Sequence, residues 1–271
     1  MAAKATVARA ELREESWHCC NAIEINYASV GERPGRWSWA VSWRACDSLV
    51  APPVTSARAS RAVSWSASQT SRLPHVLTIE GSPRFVAGDV QLLKNGLSVS
   101  VVGTREPSSE GIERTKALVL ELASLVRRGI TVVSGLAKGV GAVAHSTAMD
   151  PRGRTIAVLG TPLDVAYPAE NRPLQQRIVR VHLAVSQFPA GMRAGAKAFP
   201  IRNRTMALVS DATVIVEAGE GGGTVHQGWE ALRLGRPLFL MESLVARSHL
   251  AWPAEMLGFG AERRGPESQE P

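Results

Sequence analysis

Leu97-Ser-Val-Ser-Val-Val-Gly-Thr-Arg105, a stretch of helical period over 111–128, and then Ile130-Thr-Val-Val-Ser-Gly-Leu-Ala-Lys-Gly139 form the part of this sequence whose reading decides the fold. Leu97 to Val102 and Ile130 to Ser134 are short valine-rich runs of strand length. Between them Leu118, Leu122 and Leu125 recur at roughly helical spacing, which predicts a helix from Gly111 to Arg128. Strand, helix and strand in succession make a right-handed crossover between parallel neighbours. Both runs end in turns that carry glycine and a basic residue, Gly103-Thr-Arg105 and Gly135-Leu-Ala-Lys-Gly139.

The alternation continues toward the C-terminus. Helices are expected over Val140 to Met149, Pro173 to Val181, Ile201 to Leu208 and Val225 to Leu234. Strands are expected over Thr155 to Leu159, Leu183 to Ser186, Ala212 to Val216 and Pro237 to Leu240. Upstream, Val76-Leu-Thr-Ile-Glu-Gly-Ser-Pro83 reads as a lead-in strand ending in a turn. The fold class is α/β, an extended Rossmann-like fold with a mostly parallel sheet and helices on both faces. The domain is expected to occupy residues 73–258, with a disordered charged tail over 259–271.

Before residue 73 the chain has a different character. It is rich in Ser, Ala, Arg and Trp, holding Trp17, Trp37, Trp39, Trp43 and Trp65 without a sustained period. Residues 1–72 are expected to be a segment of low order. A start assigned too far upstream would account for it, and mass spectrometry of the native N-terminus tests that. Cys19, Cys20 and Cys46 are odd in number and lack metal-ligand spacing, which argues against a metal site and against export. No run of eighteen or more apolar residues is present, and Glu11, Glu14 and Glu15 interrupt the stretch a signal peptide needs. A cytoplasmic location and no membrane partner are expected. The net charge of +7 over 271 residues favours an acidic partner without specifying one.

In an open α/β sheet, ligands bind beyond the carboxyl ends of the strands. Here those ends lead into Gly103-Thr-Arg105, Gly135 to Gly139, Gly160-Thr161 and Gly219-Glu-Gly-Gly-Gly-Thr224, each before a helix. Glycine at such a turn lets backbone N–H groups approach an anion near a helix N-terminus, so the set reads as a phosphate-binding rim. Phe199-Pro-Ile-Arg-Asn-Arg204 adds an aromatic face beside two arginines, suited to stacking a base and holding phosphate. The other reading of that segment has Phe199 in the core and the arginines paired with Asp211 or Glu217.

Val101-Val-Gly-Thr-Arg105, Ser134-Gly-Leu-Ala-Lys-Gly139 with Ala144-His145, Thr155-Ile-Ala-Val-Leu-Gly160 with Leu163-Asp164 and Tyr167-Pro168, Phe199 to Arg204, and Leu208-Val-Ser-Asp211 stand in this order. Over residues 77–241 the sequence resembles the DprA/Smf DNA-processing proteins. The resemblance implies single-stranded DNA binding, a homodimer and delivery of strands to a RecA-type recombinase in natural transformation, without catalysis or cofactor. By position it implies a DNA- and phosphate-binding set of Gly103, Thr104, Arg105, Ser134, Gly135, Lys138, Gly139, Lys197, Phe199, Arg202, Asn203 and Arg204, to which the glycine-turn reading adds Gly222, Gly223 and Thr224. The chain departs from the family where Gly141 replaces an aspartate, and where His226-Gln-Gly-Trp229 replaces small residues. Neither a helical N-terminal domain nor a winged helix is recognisable.

Several residues have plainer readings. His145 is expected to be packed and hydrogen-bonded, Trp229 and Trp252 to pack, and Asp164 to pair with loop arginines. His226 stands close enough to the glycine turn to be a ligand donor. Two rival functions remain. One is a nucleotide-sensing Rossmann module. The other is a LOG-like nucleotide phosphoribohydrolase, whose Gly-Gly-x-Gly-Thr turn is followed three residues later by a glutamate. Here that position is Gln227, and the first glutamate is Glu230. The glycine turns also lack the lysine-plus-serine ending of a P-loop.

Overall fold

This computed structural model describes residues 82–124, 130–149 and 153–259, with five strands before them. Those strands are β1 (Thr6–Ala8), β2 (Ala22–Ser29), β3 (Trp37–Arg44), β4 (Val63–Trp65) and β5 (His75–Ile79). The expectations for order in residues 1–72 and for the tail beyond Phe259 lie for the most part outside the described residues. The described β2 and β3 pair antiparallel, and the alternation Trp37-Ser-Trp39-Ala-Val41-Ser-Trp43 falls on β3.

From there β6 (Ser82–Gly88) and β7 (Ser98–Val102) precede the helix α1 (Ser109–Ser124). Then follow β8 (Thr131–Ser134), α2 (Val140–Ala148), β9 (Thr155–Leu159), α3 (Arg172–Val181) and β10 (Leu183–Ser186). The last part holds α4 (Ala198–Val209), β11 (Ala212–Ile215), α5 (Gly222–Arg233), β12 (Leu238–Leu240), α6 (Glu242–Val245) and α7 (Trp252–Gly258). The sheet runs β1-β12-β11-β7-β8-β9-β10-β6-β5-β4. Its centre, β12 through β10, is parallel, and β6 joins β10 antiparallel. The α/β reading is therefore the observed fold.

Alternate residues of each strand feed opposite layers, because successive side chains leave opposite faces. Val102, Val133, Ile156, Val158, Leu183, Val185, Ile215, Leu238 and Leu240 pack with α4, α5, α6 and α7. Val99, Val101, Val132, Ala212, Val214 and Phe239 pack with α1 and α2. Ala157, Leu159 and Ala184 meet Ile178 of α3. Strands buried on both faces read as continuous apolar runs, which is why these were recognisable.

Three differences from the sequence reading affect the site. The lead-in is a hairpin, with β5 and β6 antiparallel, instead of one strand and a turn. Its second strand carries a buried Arg84 that donates to Thr205 Oγ1 at 3.2 Å. Next, α4 begins at Ala198, so Phe199 and Pro200 stand in its first turn, a position proline tolerates because its missing N–H has no helical partner there. Similarly, α5 begins at Gly222.

The chain steps from β7 through β8 and β9 to β10 on one side, then returns to place β11 against the other edge of β7. That reversal is the topological switch point, where loops after adjacent strands diverge and leave a crevice.

Candidate functional site

A cavity of about 500 Å³ opens at this crevice, beyond the carboxyl ends of β7, β8 and β11. Gly103, Thr104 and Arg105 supply one wall, Ser134 and Gly135 another, Phe199, Arg202 and Asn203 a third, and Gly222, Gly223 and Thr224 the fourth. Eleven of the fifteen residues named from sequence thus converge. Lys138, Gly139, Lys197 and Arg204 do not line it. Residues absent from that set, among them Gly219, Gly221 and Gln227, do.

The Gly103 turn is held by the protein itself. Thr104 N donates to Glu217 O at 2.7 Å, and Val140 N donates to Thr104 O at 3.2 Å. Glu217 Oε2 also accepts from Ser108 N and Ser108 Oγ, at 3.1 and 3.0 Å, just before α1 begins. Its Oε1 pairs with Arg247 at 3.3 Å. Glu217 is thus the brace for this wall and is not a partner of the pocket arginines. Asp211 is likewise occupied, accepting from Ser98 N and Ser98 Oγ at 2.8 and 3.0 Å.

Arg202 is buried, and its partners are uncharged. Nη1 donates to Gly135 O at 2.6 Å and Val158 O at 3.2 Å, and Nε donates to Asn203 Oδ1 at 3.0 Å. Asn203 Nδ2 in turn donates to Gly223 O at 2.8 Å, linking α4 to the glycine turn. Burial, and next the like charge of Arg105, pull the Arg202 guanidinium down to about 10, so it stays charged at neutral pH. Arg105 is exposed, with Cζ 5.5 Å from the Phe199 ring centroid; Arg202 Cζ is 5.9 Å from the same ring. Two cations therefore share one aromatic ring, and Glu106 is the acidic residue on the pocket lining. Such an arrangement favours an anion that brings a flat group with it.

Phe199 is half-buried and closes over Gly160, where a Cβ would stand 2.8 Å from the ring. Tyr167 continues the aromatic surface outward, its ring centroid 5.3 Å from that of Phe199. Phe199 thus packs against Gly160 and also borders the cavity.

Opposite, the N-cap position of α5 is Gly221, which has no side chain to bond the N–H groups of the first turn. Gly221 and Gly222 have φ of +69° and +85°, and a Cβ on either would meet nothing within 4 Å. An open, uncapped helix start is a suitable seat for an anion. Trp252 Nε1 donates to Gly219 O at 3.0 Å and pins the loop from behind, so Trp252 packs as expected. Trp229 is edge-on to Phe259 with ring centroids 5.5 Å apart.

The remaining residues fall outside. Gly139, with φ of +80°, brings the loop after β8 against the Gly103 turn. Lys138 and Lys197 are exposed. Arg204 pairs with Glu230 at 3.5 Å, and Glu230 also pairs with Arg233 at 2.6 Å. Gly141 lies on the lining, and a Cβ there would stand 3.3 Å from Ser134 Oγ. That hydroxyl donates to Val101 O at 2.7 Å and ties β8 to β7. His145 is fully buried with Nδ1 2.7 Å from Thr155 Oγ1, and burial pushes its pKa down to about 3. It is packed, as expected, against a strand and not a loop. His226 does not line the cavity.

A family model described as DNA recombination-mediator protein A matches residues 67–264. The chain belongs to the DNA recombination-mediator protein A family. Among curated relatives of this family, the DNA processing protein DprA of Bacillus subtilis is 30% identical over 177 residues, covering 65% of this chain and 59% of that protein. Protein Smf of Synechocystis is 40% identical over 141 residues, covering 52% and 35%. The chain thus spans 35–59% of the length of these two relatives. A solved structure of DNA processing protein A from Streptococcus pneumoniae superposes with a TM-score of 0.56 at 30% identity, covering 67% of each chain. That of Helicobacter pylori, described for its single-stranded DNA binding mode, gives 0.57 at 28% identity over 65% of this chain and 78% of that one.

Proposed function

We propose that this protein binds single-stranded DNA during DNA uptake and hands it to a RecA-type recombinase, acting as a cytoplasmic homodimer and performing no chemistry on the strand. The observation that carries the reading is the pair Arg105 and Arg202 over Phe199, at a switch-point cavity whose opposite wall is an uncapped helix start. A polynucleotide supplies what both walls favour, phosphate for the cations and N–H groups and a base for the ring. These contacts are tolerant of base identity, so binding is sequence-independent. The likeness to the Helicobacter pylori protein, described for single-stranded DNA binding, supports the same reading.

The proposed contacts come from Gly103, Thr104, Arg105, Ser134, Gly135, Phe199, Arg202, Asn203, Gly222, Gly223 and Thr224. Exposed Lys138 and Lys197, and half-exposed Arg204, add positive potential along the strand's approach. Against a phosphoribohydrolase stands the absence of a glutamate three residues after the glycine turn. Gln227 occupies that position, and Glu230 is engaged by Arg204 and Arg233.

Fluorescence anisotropy of a labelled oligo-dT of about thirty nucleotides tests this. The protein should bind it, and Arg105→Ala should weaken binding about tenfold or more, the order of one charge-assisted phosphate contact of about 1.5–3 kcal/mol. The melting temperature should stay unchanged, since the side chain is exposed. A protein that ignores the oligonucleotide would remove the reading.

A further inference from the structure

Gln227 stands on α5 four residues after Gly223 and three after Thr224, one helical turn beneath the glycine turn. Helical side chains lean toward the N-terminus, which directs its carboxamide toward a first turn where Gly222 and Gly223 have no side chains. It is 1% exposed, lines the cavity, and among the described residues neither Nε2 nor Oε1 has a hydrogen-bond partner. The contrast with Asn203 on the same cavity is informative, because both polar atoms of that amide are bonded. Folded proteins rarely leave a buried carboxamide wholly unpaired.

The group has two donors and one acceptor, so it is satisfied by a ligand that presents an acceptor and a donor side by side. Phosphate oxygens offer acceptors alone, whereas a nucleobase edge offers both. The cavity, at about 500 Å³, lies within the range of small-ligand pockets.

We propose that this cavity takes one whole nucleotide, with phosphate on Arg105 and the open start of α5 and with the polar edge of the base on the Gln227 carboxamide. The inference rests on the reading of this cavity as a nucleotide-phosphate site and assigns its floor. It makes Gln227, beside the Phe199 ring, a residue that tells a nucleotide from a bare sugar phosphate. The occupant is either a unit of a bound strand or a free mononucleotide, since both present the same chemistry.

Isothermal titration of the full chain tests it, using the four deoxynucleoside 5′-monophosphates, 2-deoxyribose 5-phosphate, a dT decamer and an abasic decamer. At least one base-bearing ligand should bind about tenfold tighter than its baseless counterpart, the order expected of a paired amide contact. Gln227→Leu and Gln227→Met should shrink that difference to what stacking on Phe199 alone supplies. Both variants should melt at or above the wild-type temperature without ligand, because each removes an unpaired buried amide. A preference seen with the monophosphates assigns the site to a free nucleotide, and one seen with the decamers alone assigns it to the strand. Equal affinities for base-bearing and baseless ligands in the wild type overturn the inference, as does a preference that both substitutions leave undiminished. Strand binding without a base preference defeats this inference alone. Failure of the dT decamer beside Gln227-dependent binding of a monophosphate defeats the strand reading and leaves this one standing.

Discussion

The two glycine-bearing walls of the cavity look alike in sequence and differ in what their glycines make room for. On the β8 side the space is taken by the protein. A Cβ on Gly135 would fall on the Arg202 guanidinium, and one on Gly139 would stand 2.5 Å from Thr104 O. On the α5 side, at Gly219, Gly221 and Gly222, a Cβ would meet nothing within 4 Å. One wall is therefore closed against itself and sets the geometry of Arg105 and Arg202, while the other is left open to the cavity. A glycine-rich turn is by itself no sign of a ligand; its surroundings decide.

That difference gives the largest expected effect at Gly139. With φ of +80° and the Thr104–Arg105 backbone 2.5–2.6 Å from where its Cβ would stand, Gly139→Ala should destabilise the fold by about 3 kcal/mol or more in chemical denaturation. It should weaken strand binding too, because the loop it displaces carries Arg105. A loss under about 1 kcal/mol would mean the closed wall is not rigid. Arg202→Met comes next, at about 2–3 kcal/mol, since it strips donors from the carbonyls of Gly135 and Val158. Retention of full stability would show that the guanidinium is not structural.

Stability should also depend on pH through His145. Its folded pKa, near 3, lies below the ordinary imidazole value of 6.5, so the folded state binds fewer protons than the unfolded state between those values. The stabilisation is complete above pH 6.5 and is lost as pH falls, by at most about 1.4 kcal/mol per unit for one group. His182, lowered chiefly by burial, acts in the same direction. Between pH 6.5 and 5, His145→Gln should flatten the slope of unfolding free energy; an unchanged slope would locate the linkage elsewhere. The smallest effect belongs to the open wall. Gly219→Ala should change stability by less than about 0.5 kcal/mol.

The parallel core was legible because β7 to β11 are apolar runs buried on both faces, and their order fixed which loops meet. The hairpin β5–β6 was not, since Pro83, buried Arg84 and Gly88 give β6 no strand-like pattern. Nor were α6 and α7, at four and seven residues too short to display a helical period. Most of the cavity lining could be named from motifs, but the roles could not. Arg202 is fixed by carbonyls 67 and 44 residues away in sequence, a relation no local pattern carries. Arg204 looked equivalent two positions on, yet the turn of α4 directs it to Glu230. Gln227 was visible as a missing glutamate, and its burial without partners emerges once α5 is placed against β11.

The central claim is that Arg105 meets a strand phosphate at this cavity, and the salt dependence of oligo-dT affinity tests it most directly. Each phosphate neutralised on a single strand contributes about 0.7 to the fall of log K with log salt. Arg105→Ala should lower affinity and reduce that slope by about one such increment, whereas Gly219→Ala should leave the slope as it is. A slope unchanged by removing Arg105 would contradict the account, because the strand phosphate would then be bound elsewhere.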